Sequence, residues 1–177
     1  MCPHTEAKQR ASAIKLMIFD VDGVLTDGSL HYSADGELVK TFNALDGHGI
    51  KLLQQAGIQT AIISARTSAA VSRRAQDLGI GHLYQGVGDK RSAFAALLAQ
   101  TQLRAQDCGF IGDDVIDLPI LCQVGFAASV PTGHAEVQSR VHYICSAAAG
   151  RGAVRELCDF ILQAQNKYEA ILQTYLS

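Results

Sequence analysis

The sequence predicts an α/β fold, a doubly wound and mainly parallel sheet with a β-hairpin flap and no cap domain. Three observations predict it. Short apolar runs bounded by Gly or Asp recur along the chain, segments with helical spacing separate them, and acidic or hydroxyl residues follow directly on several runs. Strands alternating with helices of this length build a parallel sheet covered on both faces. Ligands of such sheets bind beyond the carboxyl ends of the strands.

The elements read in order as follows. Residues 1–13 lack the apolar stretch of a signal peptide and read as a flexible leader, which leaves 14–177 as a single domain. A first strand is expected at Lys15–Phe19. Ser29–Ser33 and Leu38–Phe42 flank Ala34-Asp35-Gly36-Glu37, and Asp-Gly between two β-prone runs signals a hairpin. Ile50, Leu53 and Gly57 fit a helix before a strand at Ile58–Ile63. Val71, Ala75 and Leu78 fit a second helix, stopped by Gly79. A strand at Leu83–Val87 precedes a helix that follows Lys90 and carries Ala93, Leu97 and Leu98. The strand Cys108–Ile111 leads to a helical segment with Leu118, Leu121 and Cys122, then to strands at Gly125–Val130 and Val141–Cys145. Val154, Leu157, Cys158, Ile161 and Leu162 share a face of a closing helix, which Tyr168, Ile171, Leu172 and Tyr175 extend to unusual length.

Composition narrows the function. The chain of 177 residues is 48% apolar and 18% charged, as for an ordinary globular domain with a full core. Fifteen basic and 17 acidic residues leave a net charge of −2, which gives no footing for nucleic acid or a membrane surface. No apolar run reaches the length of a bilayer span. Five cysteines form no C-x-x-C pair and six histidines are scattered, so the cysteines read as small buried hydrophobes in a reducing cytosol.

The stretch Leu16-Met-Ile-Phe-Asp20-Val-Asp22-Gly-Val-Leu-Thr26-Asp27-Gly28 carries the strongest chemical signal. Residues i and i+2 of a strand share a face, so Asp20 and Asp22 are expected to point the same way. Paired acids repel each other and persist beside a cation or around a shared proton. Three later segments join them: Ser64-Ala65-Arg66 at a strand end, Lys90 at a helix start, and Gly112-Asp113-Asp114-Val-Ile-Asp117 after another strand. Clustered carboxylates suit a hard, oxygen-liganded cation such as Mg²⁺, and a hydroxyl with a lysine suits a phosphoryl group. Each part has a purely structural alternative. Ser64, Asp114 or Asp117 could cap the helix that follows, and Lys90 could be a solvated surface residue.

The ordered set D-x-D-G-x-x-T over 20–26, Ser64, Lys90 and G-D-D-x-x-D over 112–117 resembles the haloacid dehalogenase superfamily, whose core is a Rossmann-like sheet. Asp20 to Gly28, Asp46-Gly-His-Gly-Ile50, Gly112 to Pro119 and Gly150-Arg-Gly-Ala-Val-Arg-Glu156 narrow the resemblance to the capless phosphatases of 3-deoxy-D-manno-octulosonate 8-phosphate. The resemblance implies a cytoplasmic, Mg²⁺-dependent phosphatase of lipopolysaccharide biosynthesis, assembled as a homotetramer. Asp20 would be the nucleophile and Asp22 the acid/base, with Ser64 and Lys90 gripping the phosphoryl group. Asp20, the backbone carbonyl of Asp22 and Asp113 would hold the metal. Asn43, Asp46, Gly47, Arg66, Arg74 and Lys90 would contact the sugar-acid phosphate. Ala65 and Lys51 depart from the family pattern, which usually has glycine at the first position and in some members arginine at the second.

The residues themselves also argue against a cap domain, because hairpin and helix fill the gap from Asp22 to Ser64 and one helix fills that from Lys90 to Gly112. Among rivals, a phosphatase for a related nonulosonate 9-phosphate stands closest. A phospho-accepting signalling domain would carry its lysine after, not before, the last acidic motif. A dehalogenase would not need an acid at Asp22. No G-x-x-x-x-G-K-[ST] nucleotide loop occurs.

Overall fold

A computed structural model describes residues 3–34 and 36–176. Six parallel strands form one sheet: β1 (Leu16–Phe19), β4 (Gln59–Ile63), β5 (His82–Tyr84), β6 (Cys108–Ile111), β7 (Phe126–Ser129) and β8 (Tyr143–Ile144). Their order is β5-β4-β1-β6-β7-β8. The chain winds outward from β1 to one edge, returns to β6 beside β1, and winds to the other, which is the expected doubly wound topology. The hairpin is also present, as an antiparallel pair of β2 (His31–Ser33) and β3 (Gly36–Val39) outside the main sheet. Asp35 of the expected turn lies outside the described residues.

Alternation along β1 explains the two-sided core. Met17 and Phe19 pack with α2 (Ala44–Gln55), α3 (Ala69–Leu78) and α7 (Ala153–Ala164), while Leu16 and Ile18 face α4 (Lys90–Thr101) and α5 (Leu118–Leu121). All four are wholly buried, so β1 reads as a continuous apolar run. The short α6 (Ala135–Gln138) joins the second layer through Val137.

The structure corrects three expectations. Pro3–Ala13, expected as a flexible leader, form helix α1. Ala7 and Ala11 are buried on α7, and the Gln165 amide donates to the carbonyls of Ala11 and Ile14. Second, β5 ends at Tyr84. Beyond it the backbone bonds to the loop after β4, from Gly86 N to Arg66 O and Val87 N to Ser64 O, and Gly86 turns at φ +67°. Third, the closing helix is two helices. The chain turns through Asn166 at φ +54° before α8 (Tyr168–Gln173), and Lys167 Nζ bonds Ala56 O. Among the cysteines, Cys108, Cys145 and Cys158 are buried, but Cys122 is exposed; Cys2 lies outside the described residues.

Candidate active site

Register places the chemistry. Phe19 pairs with Ile62 on one side and Ile111 on the other, so β1, β4 and β6 end together. The residues that follow, Asp20, Ser64 and Asp113, therefore meet on one rim, with Asp22 and Arg66, around a cleft of about 150 Å³.

The loop after β1 is held by Thr26. Its buried hydroxyl donates to Val21 O and accepts the N–H groups of Gly23 (3.4 Å) and Gly28 (3.2 Å). Gly23 sits at φ +86°, and a Cβ there would strike the Asp113 carboxylate. That close approach lets Asp113 come up to the loop that carries Asp20.

Lys90 opens α4, whose N-cap is Asp89. Its ammonium is 2.9 Å from Asp20 Oδ1 and 2.6 Å from Asp117 Oδ1, with the side chain 2% exposed. Burial alone would lower the lysine pKa, but Asp20 and Asp117 outweigh it and hold the group above its ordinary value. Lys90 is therefore a fixed positive charge in the site.

Asp117 does more than cap a helix. Its Oδ1 takes Lys90, while Oδ2 accepts the N–H groups of Asp113 (3.0 Å) and Asp114 (3.2 Å) in a turn that Asp114 caps at Val115. Gly112 leaves room for this, because a Cβ would collide with the same carboxylate.

Oxygens of Asp20, Asp113 and Asp117 lie within 4.8 Å of one another, three carboxylates against one ammonium. Burial, followed by the Asp117 charge, pushes Asp20 up to about 7. Burial, then Asp117 and Asp114, raises Asp113 to about 7 as well. Both oxygens of Asp117 are engaged, whereas Asp113 Oδ1 is buried with no hydrogen-bond partner among the described residues. An unpartnered carboxylate oxygen in a surplus of negative charge fits a hard divalent cation such as Mg²⁺, which would draw on Asp20 and Asp113.

Asp22 behaves differently from the sequence expectation. It lies in a turn past the end of β1, and its carboxylate faces Lys40, at the base of the hairpin, and Arg66 at 3.6 Å rather than sharing a cation with Asp20. Its carboxylate is not part of the cluster that Asp20, Asp113 and Asp117 form. Lys40 is a site residue that sequence reasoning missed, since a lysine on a hairpin arm reads as an edge charge.

The substrate residues implied by resemblance divide. Arg66 lines the cleft, its guanidinium 5.6 Å above the Tyr32 ring of the hairpin, and Lys90 stands beside it. Asn43, Asp46, Gly47 and Arg74 instead form a cluster at the start of α2. Asn43 caps that helix, and its carbonyl accepts from Arg74 at 3.0 Å. Gly47 is needed there because a Cβ would strike the guanidinium. Asp46 is 1% exposed and accepts the N–H groups of Gly152 (3.3 Å) and Arg155 (2.8 Å) at the first turn of α7. Burial raises its pKa in spite of those bonds.

Fold and rim together define a class, the haloacid dehalogenase-type hydrolases, and comparison with known proteins narrows it. No protein-family model matches the chain. It is 46% identical over 161 residues to 3-deoxy-D-manno-octulosonate 8-phosphate phosphatase KdsC of Yersinia pestis, spanning 91% of this chain and 86% of that protein. Among solved structures, the 3-deoxy-D-manno-octulosonate 8-phosphate phosphatase of Moraxella catarrhalis, in complex with magnesium, phosphate and KDO, superposes with a TM-score of 0.93 at 43% identity. That alignment covers 97% of this chain and 98% of the other. The cobalt-bound phosphatase of Haemophilus influenzae gives 0.91 at 42% identity, covering 95% and 99%. The chain belongs to the 3-deoxy-D-manno-octulosonate 8-phosphate phosphatase family.

Proposed function

We propose that the chain hydrolyses 3-deoxy-D-manno-octulosonate 8-phosphate to the free sugar acid and phosphate, in the cytoplasm, as a step of lipopolysaccharide biosynthesis. The observation that carries this reading is the rim itself: a buried Asp20 fixed by Lys90 beside the unpartnered oxygen of Asp113.

In this mechanism Asp20 attacks phosphorus, forming an aspartyl-phosphate as the bond to the sugar oxygen breaks. Asp22 gives its proton to that oxygen, then takes one from the water that opens the aspartyl-phosphate. Lys90 and the Ser64 hydroxyl hold the phosphoryl oxygens and offset the charge that spreads over them. Asp20, Asp113 and the Asp22 carbonyl would hold Mg²⁺, which would supply Lewis-acid charge to the phosphoryl group. Arg66 pairs with the sugar carboxylate, since its planar fork matches a carboxylate through two parallel bonds. Asn43, Asp46, Gly47 and Arg74 support substrate binding by fixing the first turn of α2 behind Phe42, whose ring lies 5.8 Å from the Arg74 guanidinium.

The same reading includes a homotetramer whose subunits help close each other's sites. Its support is the hairpin, where Leu30, Tyr32 and Val39 are 45%, 54% and 52% exposed in the single chain; the side chain of Leu38 lies outside the described residues. A two-stranded hairpin whose apolar side chains are left uncovered is barely stable in water. Light scattering should find an assembly, and Leu30→Glu should weaken it; a fully active monomer would defeat this part. Among the described residues no helix is long and apolar enough to cross a membrane. Phosphate release measured over a panel of sugar-acid phosphates with Mg²⁺ tests the substrate. Preference for a nonulosonate 9-phosphate, or for a neutral sugar phosphate, would overturn the assignment.

A further inference from the structure

The two cationic neighbours of the Asp22 carboxylate hold it unequally. Lys40, just past β3, hydrogen-bonds Oδ1 with a side chain that is only 2% exposed. Arg66 Nε stands 3.6 Å from Oδ2, beyond hydrogen-bond reach, and has no hydrogen-bond partner among the described residues. One oxygen of Asp22 is therefore fixed, and among the described residues the other takes no hydrogen bond, in a residue that lines the cleft. Lys40 reaches Asp22 from the hairpin, an element that supplies none of the other residues proposed for the chemistry. A buried ion pair adds little stability over an apolar contact of the same size, so what this one supplies is a fixed carboxylate.

We infer that Lys40 is a positioning residue for Asp22, holding Oδ1 so that Oδ2 is presented to the sugar oxygen that leaves. The inference rests on the acid/base reading of Asp22 given above. As the Asp20–phosphorus bond forms and the phosphorus–sugar oxygen bond breaks, the proton passes from Asp22 Oδ2 to the sugar oxygen. Oδ1 accepts from Lys40 throughout, first as the carbonyl of a carboxyl group and then as a carboxylate oxygen. When water attacks, Oδ2 takes back a proton while Lys40 stays in place. The hairpin is thus a working part of the acid/base step as well as a cover.

The test compares a poor leaving group, which needs that proton, with a good one, which does not. kcat/KM ends at release of the leaving group and isolates the first half-reaction. Lys40→Met should lower kcat/KM for the sugar-acid phosphate by roughly 100-fold, the lower end of what general acid catalysis contributes, and for 4-nitrophenyl phosphate by less than about threefold. Lys40→Arg should recover most of the loss, and Lys40→Met placed on Asp22→Asn should add almost nothing further. Equal losses on both substrates, or a full additional loss on Asp22→Asn, would overturn the inference. If Asp22→Asn itself fails to discriminate between the substrates, the acid/base reading falls instead, which keeps the two failures apart. Thermal melts check folding. Should Lys40→Met not fold, Lys40→Gln carries the same comparison with the same expected pattern.

Discussion

Lys90→Met removes the cation that bonds both Asp20 and Asp117, the only one to do so among the described residues, and the consequence can be worked from the geometry. The ammonium sits 2.9 Å and 2.6 Å from two carboxylates that are 7% and 0% exposed, so neither can turn to water when it is lost. Breaking a buried ion pair by deleting one partner costs about 3–5 kcal/mol. In a domain of this size that lowers Tm by about 6 to 20 °C. The cost should also depend on pH in a stated direction. Asp20 is already pushed up to about 7 with Lys90 in place, and it rises further once the ammonium is gone. The folded state then binds protons that the unfolded state, with aspartates near 4, releases, so stability falls as pH rises through that window. The deficit of the variant should be large at pH 8 and shrink toward pH 5.5, where protons replace the lost charge. Melting curves of the metal-free protein at both pH values measure it. A variant that melts with the parent at pH 8 would show that the cluster does not depend on Lys90.

Other substitutions separate the remaining roles. Asp20→Asn should abolish phosphate release while circular dichroism stays native, because an amide is a poor nucleophile at phosphorus; near-native turnover would end the covalent mechanism. Asp113→Asn should raise the Tm of the metal-free protein at pH 8, with the gain fading toward pH 5, since the Asp113 carboxyl titrates near 7 in the fold; it should also abolish stabilisation by Mg²⁺. A melting point unmoved at pH 8 would contradict the repulsion among these carboxylates. Arg66→Ala should raise KM for the sugar acid far more than for an aryl phosphate, and equal rises would assign Arg66 to the phosphate or the fold instead.

What was legible in the sequence divides along a physical line. β1 and β6 were visible because an apolar run buried on both faces ends abruptly in carboxylates, and both the burial and the chemistry are local to those residues. The hairpin was visible because its turn residues are local too. Helix α1 was not. Its buried side chains are Ala7 and Ala11, small enough for close approach to α7 but too small to write an apolar stripe in a segment otherwise polar. The end of β5 was missed because it is decided by Ser64 and Arg66, whose carbonyls take the N–H groups of Val87 and Gly86 from another part of the chain.

The same line runs through the site. Asp20, Ser64, Lys90 and Asp113 announce themselves by residue type at strand and helix ends, where a parallel sheet puts its chemistry. Asp117, Asp46 and Lys40 take their meaning from what folding brings to them. Asp117 looks like a helix cap and is one, yet its second oxygen anchors the lysine that anchors Asp20. Asp46 sits within a motif shared with phosphatases, yet its carboxylate is spent on the first turn of α7, a helix that begins more than a hundred residues later. Lys40 sits where a charge ordinarily protects an exposed edge, and folding instead buries it on Asp22. In each case the side chain's partner is distant in sequence, so local pattern identifies the reacting groups but not the groups that hold them still. Catalysis at an open rim needs both, because phosphoryl transfer depends on placement as much as on charge.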